Sequence, residues 1–218
     1  LSLKVAFWAT LLSLPVGIAV ALALARGNFP GKQLLNGFVH LPLILPPVVT
    51  GYLLLIAFGR QGVIGSLLDK WFGIVLAFRW TGAVLAAAVM AFPLMVRAIR
   101  LAIEAVDPKL EQAASTLGAN RFWTFVFVTL PLILPGILAG AILAFAKALG
   151  EFGATITFVD NVPGETQTLA SAVYAFLQVP GGEASAMRLV VVSIAVAIAA
   201  LAVSELVATR VARRIAGQ

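Results

Sequence analysis

Few residues in this chain have the types and spacing to do chemistry, and most of those few are decoys. The run GNFPGKQ, Gly27 to Gln33, has the glycines and lysine of a phosphate-binding loop. It is one residue short between its glycines, and Gln33 stands where Ser or Thr must bind magnesium, so it reads instead as an elbow turned by Pro30 and Gly31. His40 is the single histidine and cysteine is absent, which leaves no metal-ligand cluster, thiolate or disulfide framework. No serine, histidine and acid stand in a motif, and no paired carboxylates have local support for acid–base work. What remains is a set of hydrogen-bond donors within apolar runs: Thr50 and Tyr52 after the Pro46-Pro47 pair, and Thr155 and Thr157 after the break at Gly150 to Gly153. Such groups are placed to line a passage rather than to carry out a reaction. Lys147 and Glu151, four apart, read first as an interfacial ion pair and second as a substrate contact.

The elements that must position these groups are membrane helices. Of 218 residues 61% are hydrophobic and 11% charged, whereas a soluble domain has roughly a quarter of its residues charged. Five apolar runs are long enough to span: Val5–Ala25, Leu41–Phe58, Gly82–Ile99, Phe125–Leu149 and Leu189–Ala208. A barrel would show alternating segments of about ten residues, so the expectation is an all-α integral membrane protein. Its net charge of +6 is scattered at the ends of apolar runs, which points to topology and not to nucleic acid. With the N-terminus outside, nine basic residues face the cytoplasm (Arg26, Lys32, Arg97, Arg100, Lys109, Arg121, Arg210, Arg213 and Arg214) and six do not. The first residue is Leu1, so further N-terminal residues are expected, and the first apolar run has no signal-peptide cleavage site.

One polar passage interrupts this pattern. In DPKLEQAASTLGAN, Asp107 is a helix N-cap, Pro108 suits the first helical position and Gly118 supplies a left-handed stop, which predicts a helix over 108–117. Leu110, Ala113, Ala114 and Leu117 make one apolar stripe with small residues at its centre. Asn120 is placed to cap a second helix that enters the membrane behind Phe122, Trp123 and Phe125. From the residues alone this helix either packs on its own protein or docks a partner.

The order Gln112-Ala113-Ala114, three residues, Gly118, nine residues, Val128, one residue, Leu130-Pro131 resembles the coupling (EAA) loop of ABC-importer permeases. Gln112 stands at the Glu position, with Glu111 before it, and Val128 replaces Ile, so either Glu111 or Gln112 remains a candidate for the usual polar contact. Two further stretches, Phe29 to Leu55 and Ala148 to Tyr174, resemble the permease subunits of molybdate importers, and the likeness runs over nearly the whole chain. The resemblance implies a type I importer transmembrane domain over 1–218, with the coupling loop at 101–124. It implies that Glu111, Gln112, Ala113, Ala114, Leu117 and Gly118 meet the ATPase, and that Pro46, Pro47, Thr50, Tyr52, Glu151 and Thr155 border the pathway. It also implies a homodimer in membrane lipid, two cytoplasmic ATPase subunits that carry the ATP and magnesium, and a periplasmic molybdate-binding protein, with no cofactor on this chain. Tungstate and sulfate or thiosulfate permeases are near alternatives. An ion-coupled secondary transporter is the rival class, disfavoured because neither buried coupling carboxylates nor an internal repeat is evident.

The prolines within the runs, Pro42, Pro46, Pro47, Pro93, Pro131 and Pro135, predict kinked spans. Outside the spans, SLLDKWFG and ETQTLASAVYAFL predict short surface helices, the second within an outer loop from Asp160 to Arg188 long enough to be functional.

Overall fold

The computed structural model describes residues 1–215, and no strand occurs among them. The side chains of Arg213 and Arg214 lie outside the described ones. The chain begins with α1 (Ser2–Arg26), whose buried stripe includes Ala6, Ala9, Ser13, Gly17 and Ala21. Small residues four apart let backbones approach closely, which is how helices associate where lipid is as apolar as leucine. Gly31, at φ 89, turns the chain into α2 (Lys32–Ile44), and α3 (Pro47–Phe58) follows. α4 (Val63–Phe72) and α5 (Trp80–Ala105) come next.

Helix α5 is the central post. Ala83, Ala86, Ala87, Met95, Val96 and Ile99 are buried along it. α1 runs parallel to it. At one end Lys4 Nζ lies 3.6 Å from the centre of the Trp80 ring. At the other, Arg26 Nη2 donates to the Val106 carbonyl at 3.1 Å.

Two short helices, α6 (Pro108–Thr116) and α7 (Arg121–Thr124), lead through a π-helical turn over Phe125–Thr129 into α8 (Leu130–Leu149). α8 returns antiparallel to α5, with Gly136 set against Ala102 and Gly140 against Ile99 and the Met95 carbonyl. α9 (Gly153–Val159) and α10 (Leu169–Leu177) lie toward the end of the molecule that holds Ser2 and Trp80. There the Leu169 amide donates to Ser2 Oγ at 2.7 Å and the Phe78 amide to the Phe158 carbonyl. α11 (Glu183–Ile215) closes the chain.

Two of the expected spans need correction. The run Leu41–Phe58 is not one kinked helix: α2 starts nine residues earlier, at Lys32, and α2 and α3 meet at a bend of 117°. Consecutive prolines cause the break, since Pro46 and Pro47 remove two amide donors and hold Leu45 and Pro46 in extended backbone. The bent pair still makes one net crossing. α1 ends on the face that carries α6, while α5 begins on the opposite face, so residues 27–79 must pass from one to the other. Four unbroken apolar helices and this broken one give the five crossings expected. The last helix starts at Glu183, six residues before the expected Leu189, because Gly182 ends the preceding turn and no breaker separates Glu183 from the apolar run.

Candidate functional site

The polar passage folds as its residue types dictate. Asp107 accepts from the Lys109 amide at 2.9 Å and caps α6, an arrangement that contributes about 1 kcal/mol to a helix of this kind. Gly118 leaves the helix at φ 87. Asn120 Oδ1 then accepts from the Trp123 amide at 3.0 Å and starts α7. No residue of α6 is buried. Leu117, 89% exposed, stands free together with Leu110, Gln112 and Ala113. At the end of this doubly capped helix Leu117 thus makes almost no contact with the other described residues.

The structure separates the two acidic or amide candidates. Glu111 turns inward, where its Oε1 accepts from Thr129 Oγ1 at 2.9 Å and faces Arg26 Nη2 at 3.4 Å. Gln112 faces solvent. Sequence spacing left these two open, because a one-residue step on a helix turns a side chain by about 100° and its consequence depends on what lies beneath.

At the opposite end of the molecule, the second candidate group is built where α3 crosses α9. A Cβ on Gly51 would stand 2.5 Å from the Ala154 carbonyl oxygen, and one on Gly153 would stand 2.7 Å from Pro47 Cβ. Two glycines, one on each helix, therefore allow this crossing. Thr50 and Thr155 are buried in it, at 5% and 2% exposure, and the Thr50 hydroxyl has no hydrogen-bond partner. Pro46, Pro47 and Tyr52 are exposed, with Tyr52 on the outward face of α3 beside Val48, Val49 and Ile56.

Glu151 is 3% exposed and fully engaged: Oε2 meets Lys147 Nζ at 2.7 Å and Oε1 accepts from the Ala154 amide at 3.0 Å. It thus ties the end of α8 to the start of α9, a structural use of the pair. His40 Nδ1 is 2.8 Å from the Asn36 carbonyl, within its own helix. Helix α9 and the π-helical turn gave no sequence signal that we read. The Gly150–Gly153 break announced an ending and not a new short helix, and a π turn changes no hydrophobic period by more than one residue.

The chain thus folds as a polytopic helical core with a capped, exposed helix on one face and a broken span packed on its central post. Its fold matches that of a bacterial ABC transporter involved in the import of the acidic polysaccharide alginate, with a TM-score of 0.73 over 96% of this chain and 78% of that one, at 19% identity.

Residues 13–217 match the family described as binding-protein-dependent transport system inner membrane component, and the chain belongs to it. It is 62% identical over 218 residues to the molybdenum transport system permease protein ModB of Escherichia coli strain K12, covering all of this chain and 95% of that protein. It is 56% identical over 215 residues to the ModB of Haemophilus influenzae, covering 99% and 94%. The chain is accordingly a membrane-spanning transport subunit.

Proposed function

We propose that this chain is the permease subunit of an ATP-driven importer that carries molybdate across the bacterial inner membrane. The observation that carries the mechanism is the doubly capped helix α6, none of whose residues is buried, with Leu117 presented to a partner. Molybdate is supported by the likeness to molybdenum permeases over the full length of the chain.

In this reading two copies pack around one axis with their coupling helices in grooves of two ATPase subunits. A periplasmic binding protein delivers the anion to the face that bears α10 and the α3–α9 crossing. Closure of the ATPases on ATP moves the α6 helices, and the packed helices carry the switch between inward and outward access. The N-terminus is periplasmic and the C-terminus cytoplasmic, an orientation supported by the nine to six basic bias.

The passage holds donors and no free carboxylate, since Glu151 is already engaged by Lys147 and the Ala154 amide. Tyr52 offers an exposed hydroxyl to a passing oxyanion, and Thr50 and Thr155, buried at the α3–α9 crossing, reach it when that crossing opens. A weak, multi-contact path lets the anion leave, while affinity resides in the binding protein.

The substrate is tested by uptake of labelled molybdate into vesicles holding the complete complex, with sulfate, thiosulfate and tungstate as competitors. Uptake that resists excess sulfate is expected. Uptake of sulfate instead would overturn the substrate and keep the class.

A further inference from the structure

Three segments far apart in sequence meet under α6: the inner end of α1 at Arg26, α6 itself at Glu111, and the π-helical turn at Thr129. Glu111 Oε1 is the shared acceptor, with Thr129 Oγ1 at 2.9 Å and Arg26 Nη2 at 3.4 Å. Arg26 Nη2 also holds the Val106 carbonyl, which caps the end of α5. The inner ends of α1 and of the span that contains α8 therefore meet at one carboxylate, and α5 joins them through Arg26.

The ion pair is partly exposed, at 33% and 27% for the two side chains, so it adds little to stability. Thr129, by contrast, is buried at 3% exposure and is the last residue of the π turn. A π turn is a local departure from the α-helical ladder, and such turns are frequent at functional sites. Gln112 is left free to meet the partner.

We propose that Glu111 is a positioning residue: the Arg26–Glu111–Thr129 cluster is the clip that passes displacement of α6 to the inner ends of α1, α5 and α8. This rests on the reading of α6 as the docking helix. The clip stays closed through the transport cycle, so that α6 and the three span ends move as one body.

The test uses the full complex in proteoliposomes, with labelled molybdate and with ATP hydrolysis followed in parallel. Arg26→Ala and Glu111→Ala are each expected to lower molybdate moved per ATP by about fivefold, the lower end of usual coupling effects, while the ATPase co-purifies in wild-type amount. The double variant is expected to be no worse than Glu111→Ala alone, because that change already cuts the contacts of α6 with both Arg26 and Thr129. Glu111→Gln, which can still accept from Thr129, is expected to fall between.

The chain has no cysteine, so Arg26→Cys with Glu111→Cys can be bridged within it by a short bis-maleimide, and the molybdate moved per ATP, lowered in the unbridged pair, should rise when the bridge replaces the clip. A wild-type ratio in both single variants, losses that multiply in the double one, or a ratio that does not rise with the bridge would each overturn the clip. Leu117→Asp separates the two readings. It should shed the ATPase, and a Leu117→Asp chain that keeps its ATPase refutes the docking reading and the clip with it.

Discussion

Gly51→Val tests whether the α3–α9 crossing is as tight and as necessary as its geometry demands. A Cβ at position 51 stands 2.5 Å from the Ala154 carbonyl oxygen and 2.9 Å from both Ala154 Cα and Thr157 Cβ. Since non-bonded heavy atoms rest about 3.5–4.0 Å apart, α3 must retreat from α9 by roughly 1 Å. Two of the three obstructing atoms are backbone, so no rotamer change relieves them. Overpacking of this kind costs about 1–3 kcal/mol, and in a chain of this size the melting temperature falls by roughly 2–12 °C.

The retreat also pulls α3, which carries Thr50, away from α9, which carries Thr155, and reopens the corner at Pro47, which packs on Gly153. Uptake should therefore fall well beyond what lost stability explains. ATPase binding should persist, because α6 is at the other end of the molecule. The assay is thermal unfolding of the purified protein in detergent, with uptake measured on matched amounts of folded complex. A Gly51→Val protein with wild-type melting and wild-type uptake would refute the crossing as described.

Three further substitutions probe other links. Gly118→Val meets no atom within 4 Å of its Cβ, so only the backbone at φ 87 opposes it; a strain of about 1–2 kcal/mol should misdirect α6 and reduce ATPase co-purification. Lys147→Met leaves the buried Glu151 without its cation, and thermal unfolding should show a loss of roughly 1–3 kcal/mol, partly restored by adding Glu151→Gln. Thr50→Val replaces a buried, unpartnered hydroxyl by an isosteric methyl, so stability should hold or rise; reduced uptake at undiminished stability would assign that hydroxyl to the passing anion.

Much of this was legible in the residues, and the reasons are physical. Asp107 and Asn120 act through side-chain bonds to amides two or three residues on, and Pro108 and Gly118 through their own backbone geometry, so α6 and α7 could be placed without tertiary information. Apolar runs long enough to span likewise declare themselves. The Pro46-Pro47 break was legible as a disturbance but not as a 117° turn, because the direction taken after two lost amide bonds is decided by what α3 packs on. That partner, α9, is seven residues long and follows a glycine-rich break, so it has too few turns to show a period. Glu111 and Gln112 could not be told apart for a similar reason. Arg26 and Thr129, the groups that turn Glu111 inward, lie 85 and 18 residues away from it.

The most direct measurement is ATP-dependent uptake of labelled molybdate by vesicles that hold this chain, with and without its ATPase and binding protein. Uptake is expected only when all components and ATP are present, and it should vanish with Leu117→Asp. Uptake that proceeds without the ATPase, or that survives Leu117→Asp unchanged, would contradict a permease driven through α6.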